Sequence, residues 1–350
     1  MGLSAASSAA SSAPFSANSV DTFFLSPGPI LDVRSPGEYD QGHIPGAISF
    51  PLFSNGERAA IGTCYKQQGR DAAVELGLEQ VGPKMAGFVR QAKQLALGGQ
   101  VRLHCWRGGM RSSSMGWLLT TAGLEATVLE GGYKTFRRWV RSSLSQPQSI
   151  CIVGGMTGTG KTLILDALQQ LGEQVLNLEA LANHRGSSYG SLGLPPQPST
   201  EQFENLIAMA WRTFDPQCPL WVEAESAQVG RCRVPPEVFE QMERSPILEV
   251  QRTQAERVAL LRQVYGEASP LELITATQRI SRRLGTQRTQ AAIQWIDQGK
   301  LEPAIKIILE YYDKAYGHDL GRRPVPRQSV DVAGLSPVAA AQRLMRQSQF

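Results

Sequence analysis

No apolar run in the 350 residues approaches the roughly 20 that a bilayer helix requires, so no helical membrane span is expected. Paired cysteines are missing too. The five present are an odd number without a repeated spacing, which argues against a disulfide framework and for a reducing compartment, the cytoplasm. Nor is there an excess of either charge: 35 basic and 31 acidic residues give +4, so a polyanionic partner must be met by a local patch. Residues 1–20 lack arginine and any sustained apolar core, and they read as a disordered Ser/Ala-rich tail rather than a targeting peptide. What remains is an ordinary globular composition, 42% hydrophobic and 19% charged, in a chain long enough for two domains.

Short apolar runs at 29–33, 100–104 and 127–129 predict strands. Stretches 113–122 and 133–141 carry helical spacing between and after them, and Gly123 is placed to stop the first helix. Strands alternating with helices imply a parallel sheet covered on both faces. The polar stretch 142–148 interrupts the pattern, which then restarts as strand (149–153), Gly-rich loop, helix (161–170) and strand (174–178). The expected organisation is therefore an α/β domain over 21–141, a linker over 142–148, a second α/β domain with a helical extension over 149–320, and a tail over 321–350.

The first candidate site is the run from His104 to Ser112, between a strand and a helix. Gly108 and Gly109 let backbone N–H groups turn inward, and the following helix adds its positive end. Such a loop favours a thiolate, which makes Cys105 a nucleophile, and Arg111 adds a planar donor for a tetrahedral oxyanion. Trp106, Arg107, Gly108, Gly109 and Met110 complete the seven-residue loop. Cys-x5-Arg-Ser matches cysteine-dependent phosphatases, whereas sulfur-transfer loops are usually one residue shorter. The upstream run 32–47 resembles the rhodanese motif almost throughout, with His43 expected to stabilise a turn. A rhodanese fold with a phosphate-sized loop suggests a substrate carrying both a chalcogen and a phosphate.

The second candidate site is a phosphate loop. Gly155, Gly158, Gly160, Lys161 and Thr162 fit G-x-x-x-x-G-K-[ST] after an apolar strand, a Walker A arrangement for a diphosphate and Mg²⁺. Glu223 and Glu225 follow a second apolar strand, as metal-ordering acids would. His184, Arg185 and Ser187 follow another strand, where a P-loop enzyme often faces its acceptor. The loop itself does not choose among ATP, GTP and a prenyl diphosphate. Net charges of +5 over 101–141 and +4 over 244–300 suit RNA, with Arg137, Arg138, Arg282 and Arg283 as contact candidates.

Beyond both motifs, the chain resembles the tRNA 2-selenouridine synthase family over 31–316. The match includes 57–69, the Cys105 loop, 129–134, the Walker loop, 184–188, 282–285 and 310–313. The resemblance implies that tRNA with 2-thiouridine at the wobble position is the substrate. It further implies S-geranylation from geranyl diphosphate, then replacement of the geranylthio group by selenium from selenophosphate. A selenophosphate-producing enzyme is the implied partner, Mg²⁺ the implied ion, and no redox cofactor is expected. One departure is Ala224, where the family carries adjacent acids; Mg²⁺ is then expected to bind weakly or through a neighbouring group. The residues alone leave two other readings open: a Cys-x5-Arg phosphatase fused to an NTPase, and a persulfide carrier serving a partner enzyme.

Overall fold

The computed structural model describes residues 17–320 and 325–348. The chain divides into two compact units, Met1–Trp139 and Val140–Phe350. The first runs β1 (Ala17–Asn18), α1 (Val20–Leu25), β2 (Ile30–Asp32), α2 (Pro36–Gln41) and β3 (Ile48–Ser49). It continues through α3 (Asn55–Gln68), α4 (Arg70–Val81), α5 (Met85–Leu95), β4 (Gln100–His104), α6 (Met110–Thr121) and β5 (Glu125–Leu129). Helix α7 (Gly132–Leu144) closes it and passes the division. Its five strands are all parallel, in the order β1-β5-β4-β2-β3. The core on this sheet is built from Leu31, Val33, Leu103, Val101, Met115 and Leu119, the near-continuous apolar strands expected of a sheet covered on both faces.

Two buried polar groups hold the carboxyl ends of β2 and β4 in register. Asp32 lies opposite His104 across the parallel pair. The Arg34 guanidinium donates to the Asp32 carboxylate, Nη2 to Oδ2 at 2.6 Å, and to the Gly42 carbonyl at 2.7 Å, while stacking 3.8 Å over the Tyr133 ring. Burial opposes ionisation of Asp32, but His104 and Arg34 outweigh it and hold the carboxyl below its ordinary value. His43 does stabilise a turn: its ring stacks on Tyr39 at 3.9 Å and its Nδ1 lies 3.0 Å from the Tyr39 carbonyl.

The second unit begins β6 (Ser149–Gly154), α8 (Lys161–Gln170), β7 (Gln174–Leu176), α9 (Leu178–Ala182), α10 (Thr200–Trp211) and β8 (Pro219–Glu223). A short hairpin of β9 (Gln228–Val229) and β10 (Cys232–Arg233) leads into α11 (Pro236–Glu243) and β11 (Ile247–Gln251). Helices α12 (Gln254–Tyr265), α13 (Pro270–Arg279), α14 (Ser281–Leu284), α15 (Thr286–Asp297) and α16 (Leu301–Leu320) form the expected helical extension. The parallel order is β12-β11-β6-β8-β7, with β12 at Arg327–Asp331. Cys151 of β6 is a core residue, its thiol pushed up to about 12 by burial.

Three expected boundaries differ. The stretch expected as a linker is helical through Leu144, so that only the few residues before Ser149 join helix to strand. The stretch expected as a tail contains β12 and α17 (Pro337–Gln347), whose Val330, Ala340, Ala341 and Leu344 are buried in the second core. Of the segment expected to be disordered, residues 1–16 lie outside the described residues, while Ala17 and Asn18 pair with Val128 and Leu129.

Candidate functional site

Cys105 is the first residue beyond β4, at the carboxyl edge of the first sheet, where open parallel sheets bind ligands. The loop is shaped by its crossing with the start of α7. The amides of Tyr133 and Lys134 donate to the carbonyls of Cys105 and Trp106 at 2.8 and 2.9 Å, so those carbonyls face α7. Only glycines allow this approach. Gly108 has φ +62°, and a Cβ there would sit 2.8 Å from the Leu129 carbonyl oxygen. One on Gly132 would sit 2.4 Å from the Cys105 carbonyl oxygen.

The Cys105 thiol is buried, and the Ser112 hydroxyl stands 3.2 Å from its sulfur and 3.1 Å from the Gly109 carbonyl oxygen, so its one proton serves either acceptor. Ser112 is itself buried and lies in the first turn of α6, whose N-terminus abuts the loop. Arg111 does not reach into the loop alone. Its Nη1 meets Glu38 Oε2 at 2.9 Å, and Arg58 Nε meets the same oxygen at 3.0 Å. Burial works against a charged Glu38, but Arg111 first and Ser35 and Arg58 after it keep its carboxyl below the usual range. An anion entering the loop therefore competes with Glu38 for Arg111. Trp106, Arg107, Gly109 and Met110 are exposed at the mouth, and Gly108 is half-buried.

His104, immediately before the nucleophile, is fully buried, and neither ring nitrogen has a hydrogen-bond partner among the described residues. Burial pushes its pKa down to about 4, with Arg34 adding to the effect against the pull of Asp32. It is a neutral ring at physiological pH.

The P-loop joins β6 to α8. Lys161 Nζ donates to the Gly155 carbonyl at 2.9 Å and stands 3.8 Å from Glu223. Thr162 Oγ1 donates to Glu179 Oε2 at 3.2 Å. Glu223 ends β8, directly opposite Val153 of β6, which is how the strand order brings it beside the loop. Glu179, Glu223 and Glu225 present oxygens all within 4.8 Å of one another. Burial and the two neighbouring carboxylates push Glu179 up, and burial pushes Glu223 up against the pull of Lys161. Glu223 Oε2 is buried without a hydrogen-bond partner among the described residues. Three crowded carboxylates with one orphaned oxygen fit a hard divalent cation, so the donor set suits Mg²⁺.

Glu179 has no place in the sequence reading, which identified Thr162, Glu223 and Glu225. Two arginines of the P-loop wall were missed as well. Arg252 donates to the Thr159 carbonyl at 3.0 Å, and buried Arg257 donates to the Thr157 carbonyl at 2.8 Å while pairing with Asp313.

The 184–190 loop faces this acidic cluster through its backbone. A Cβ on Gly186 would lie 2.8 Å from Glu225 and 3.0 Å from Glu179. His184 packs beneath Gly190, and Arg185 donates to Leu192 of its own loop at 2.7 Å, so these two side chains shape the loop. Ser187, with Thr157 of the P-loop, lines a cavity of about 60 Å³ whose other walls are apolar or aromatic side chains such as Leu261, Tyr265, Leu273 and Ile308. Arg137 and Arg138 lie on α7, and exposed Arg282 and Arg283 on α14, the latter 3.5 Å from the Tyr311 hydroxyl. Each pair stands in its own unit.

A cysteine-centred anion loop on one parallel sheet and a P-loop on another define a rhodanese-like domain followed by a P-loop α/β domain. Comparison with known families agrees: residues 16–138 match the rhodanese-like domain and residues 148–275 the tRNA 2-selenouridine synthase AAA domain. Among curated relatives, the tRNA 2-selenouridine synthase of Marinobacter nauticus is 34% identical, over 86% of this chain and 90% of its own. That of Aeromonas salmonicida is 35% identical over 86% and 89%, and that of Pseudomonas putida 35% over 85% and 84%. The chain belongs to the tRNA 2-selenouridine synthase family. Among solved structures, the N-terminal domain of an ATP/GTP binding protein from Clostridium difficile 630 is 40% identical over 36% of this chain and 98% of that one, with a TM-score of 0.34.

Proposed function

We propose that this protein replaces the C2 sulfur of a wobble 2-thiouridine in tRNA by selenium, in two steps served by the two loops. In the first, the thiouridine sulfur attacks C1 of geranyl diphosphate. A C–S bond forms, the C–O bond breaks, its electron pair leaves with diphosphate, and the uracil ring loses its N3 proton. The P-loop amides and Lys161 hold the diphosphate as its charge grows. Mg²⁺ held by Thr162, Glu179, Glu223 and Glu225 would neutralise part of that charge. The cavity beside Thr157 has apolar walls that suit hydrocarbon, and its volume of about 60 Å³ takes part of an isoprenoid chain rather than the whole of it.

In the second step, the Cys105 thiolate attacks the phosphorus of selenophosphate. An S–P bond forms and the P–Se bond breaks, its electron pair going to selenium. The selenide attacks C2 of the alkylated ring; the C–Se bond forms, the C–S bond breaks, and geranylthiolate leaves and is protonated. Water then cleaves the S–P bond, releasing phosphate and restoring the thiol. Ser112 supports the thiolate, and Arg111 the phosphoryl oxygens.

The observation that carries this reading is the Cys105 loop: seven residues, a serine hydroxyl on the sulfur and an arginine at the rim, in a chain about 34% identical to these synthases. The test incubates purified protein with 2-thiouridine tRNA, geranyl diphosphate and Mg²⁺, with and without selenophosphate, and identifies nucleosides by mass spectrometry. Geranylated nucleoside forms without selenophosphate and selenouridine with it; Lys161→Ala loses the first and Cys105→Ala the second. Unchanged tRNA in every reaction of folded protein refutes the reading and favours a carrier or a phosphatase.

A further inference from the structure

Helices α3 and α4 give little of their apolar surface to the core of the first unit, where α4 contributes Val81 at its end. The 14-residue α3 buries none of its residues and the 12-residue α4 buries only Ala73. Tyr65 and Leu78 are 59% and 66% exposed. Helices of this length ordinarily hold their place by burying an apolar stripe. Here that surface walls a cavity of about 670 Å³, within the usual range of small-molecule sites. Phe53, Ile61, Val74, Leu78 and Val81 give it an apolar interior. Met110, Arg111 and Ser114 at the start of α6 line it too, so it lies beside the Cys105 loop.

Charge is the second observation. Arg58, Lys66, Arg70 and Arg111 line the cavity; Glu38 pairs with both Arg58 and Arg111, Asp71 stands 3.7 Å from the exposed Arg70, and Lys66 has no ion pair among the described residues. An apolar chamber rimmed by cations fits a hydrocarbon substituent on a phosphate-rich chain. Transfer of selenium from a small anion to an unmodified base would need no such chamber.

We propose that this cavity receives the S-geranyl group of the alkylated thiouridine during the selenium step, with Arg58, Lys66 and Arg70 meeting neighbouring tRNA phosphates. The inference rests on the two-step reading above and adds the place where the leaving group is held. Alkylation then acts twice: it weakens the C2–S bond, and it supplies the handle that docks the base at Cys105. The protein thereby distinguishes alkylated from unalkylated thiouridine at the second site.

The experiment uses the full chain and synthetic anticodon stem-loops carrying S-geranyl or S-methyl 2-thiouridine, with selenophosphate, and reads selenouridine formation in single turnovers. The expected result is that wild type favours geranyl over methyl by at least about ten-fold. Thr63→Trp, from an exposed lining position, and Val74→Trp, from a half-buried one, fill the chamber and collapse that ratio toward one. Melting temperatures identify any variant that fails to fold, and the two positions differ enough in burial for one to serve if the other fails. A wild type that selenates both substrates equally overturns the cavity assignment alone. So do folded variants that keep the wild-type ratio, or that slow both substrates alike. A wild type that selenates neither overturns the two-step reading and the inference with it.

Discussion

Around Cys105, single atoms decide the chemistry. The Ser112 hydroxyl reaches both Cys105 Sγ and the Gly109 carbonyl, and Ser112→Ala removes the one side-chain donor within reach of the sulfur among the described residues. Alkylation of Cys105 by iodoacetamide near pH 7 is expected to slow about ten-fold. An unchanged rate would show that the hydroxyl has no part in the reactivity of the sulfur. His104 makes a different prediction, about stability. Its folded pKa of about 4 lies below the ordinary 6.5, so the unfolded chain binds the additional proton. Stability is complete above about pH 6.5 and is lost as pH falls toward 4, by roughly 3 kcal/mol for a shift of this size. Denaturant melting at several pH values, followed by hydrogen exchange over 100–104, reads this directly. His104→Leu should flatten the dependence in that window, and a variant as acid-sensitive as wild type would refute the assignment. The residue scale is also where the sequence was most legible. Cys105, Arg111, Lys161 and Thr162 sit in contiguous motifs, so the strand before and the helix after each loop were enough to place them. Glu38 and Glu179 were not legible, because each reaches its partner across a gap in sequence that only the fold closes.

At the scale of elements, the cluster of three carboxylates is a consequence of strand order. Glu179 follows β7 and Glu223 ends β8, and the order β6-β8-β7 brings both beside Thr162. No periodicity in the chain encodes that meeting. The run Glu223-Ala224-Glu225 suggested weakened metal binding or a neighbouring ligand; Glu179 is a neighbour with a suitable oxygen. Adding Mg²⁺ should raise the melting temperature of the second unit, by about 2.7 kcal/mol of stabilisation at 100 times the dissociation constant. Glu223→Gln should remove most of that response, and a full Mg²⁺ shift in this variant would exclude the cluster as the ion site. The α3–α4 pair escaped the sequence for another reason. Its helices read Asn-Gly-Glu-Arg-Ala-Ala-Ile-Gly-Thr-Cys-Tyr-Lys-Gln-Gln and Arg-Asp-Ala-Ala-Val-Glu-Leu-Gly-Leu-Glu-Gln-Val, with too few large apolar residues to give the repeating stripe by which helices are ordinarily recognised.

For the whole molecule, two complete parallel sheets explain why alternation in the sequence revealed two domains. The last strand was not visible because β12 reads Arg-Gln-Ser-Val-Asp and buries only Val330, as an edge strand can. Yet this edge strand pairs with β11 along five residues, and α17 buries Leu344 completely. Leu344→Ala is expected to destabilise the second unit by about 2–5 kcal/mol while leaving the first unit's unfolding transition in place. Loss of both transitions together, or of neither, would contradict two separate cores.

The position of β12 also sets an order of assembly during synthesis. Every strand of the first sheet has left the ribosome once residue 129 and the following tunnel length have been made. The P-loop strand β6 emerges soon after, but its sheet must wait some 180 residues for β12. Until then β11 presents an open edge beside Ile247, Leu248 and Val250, an invitation to wrong partners. A nascent chain stalled before residue 325 would thus hold a finished cysteine loop and an aggregation-prone phosphate-loop sheet at the same time.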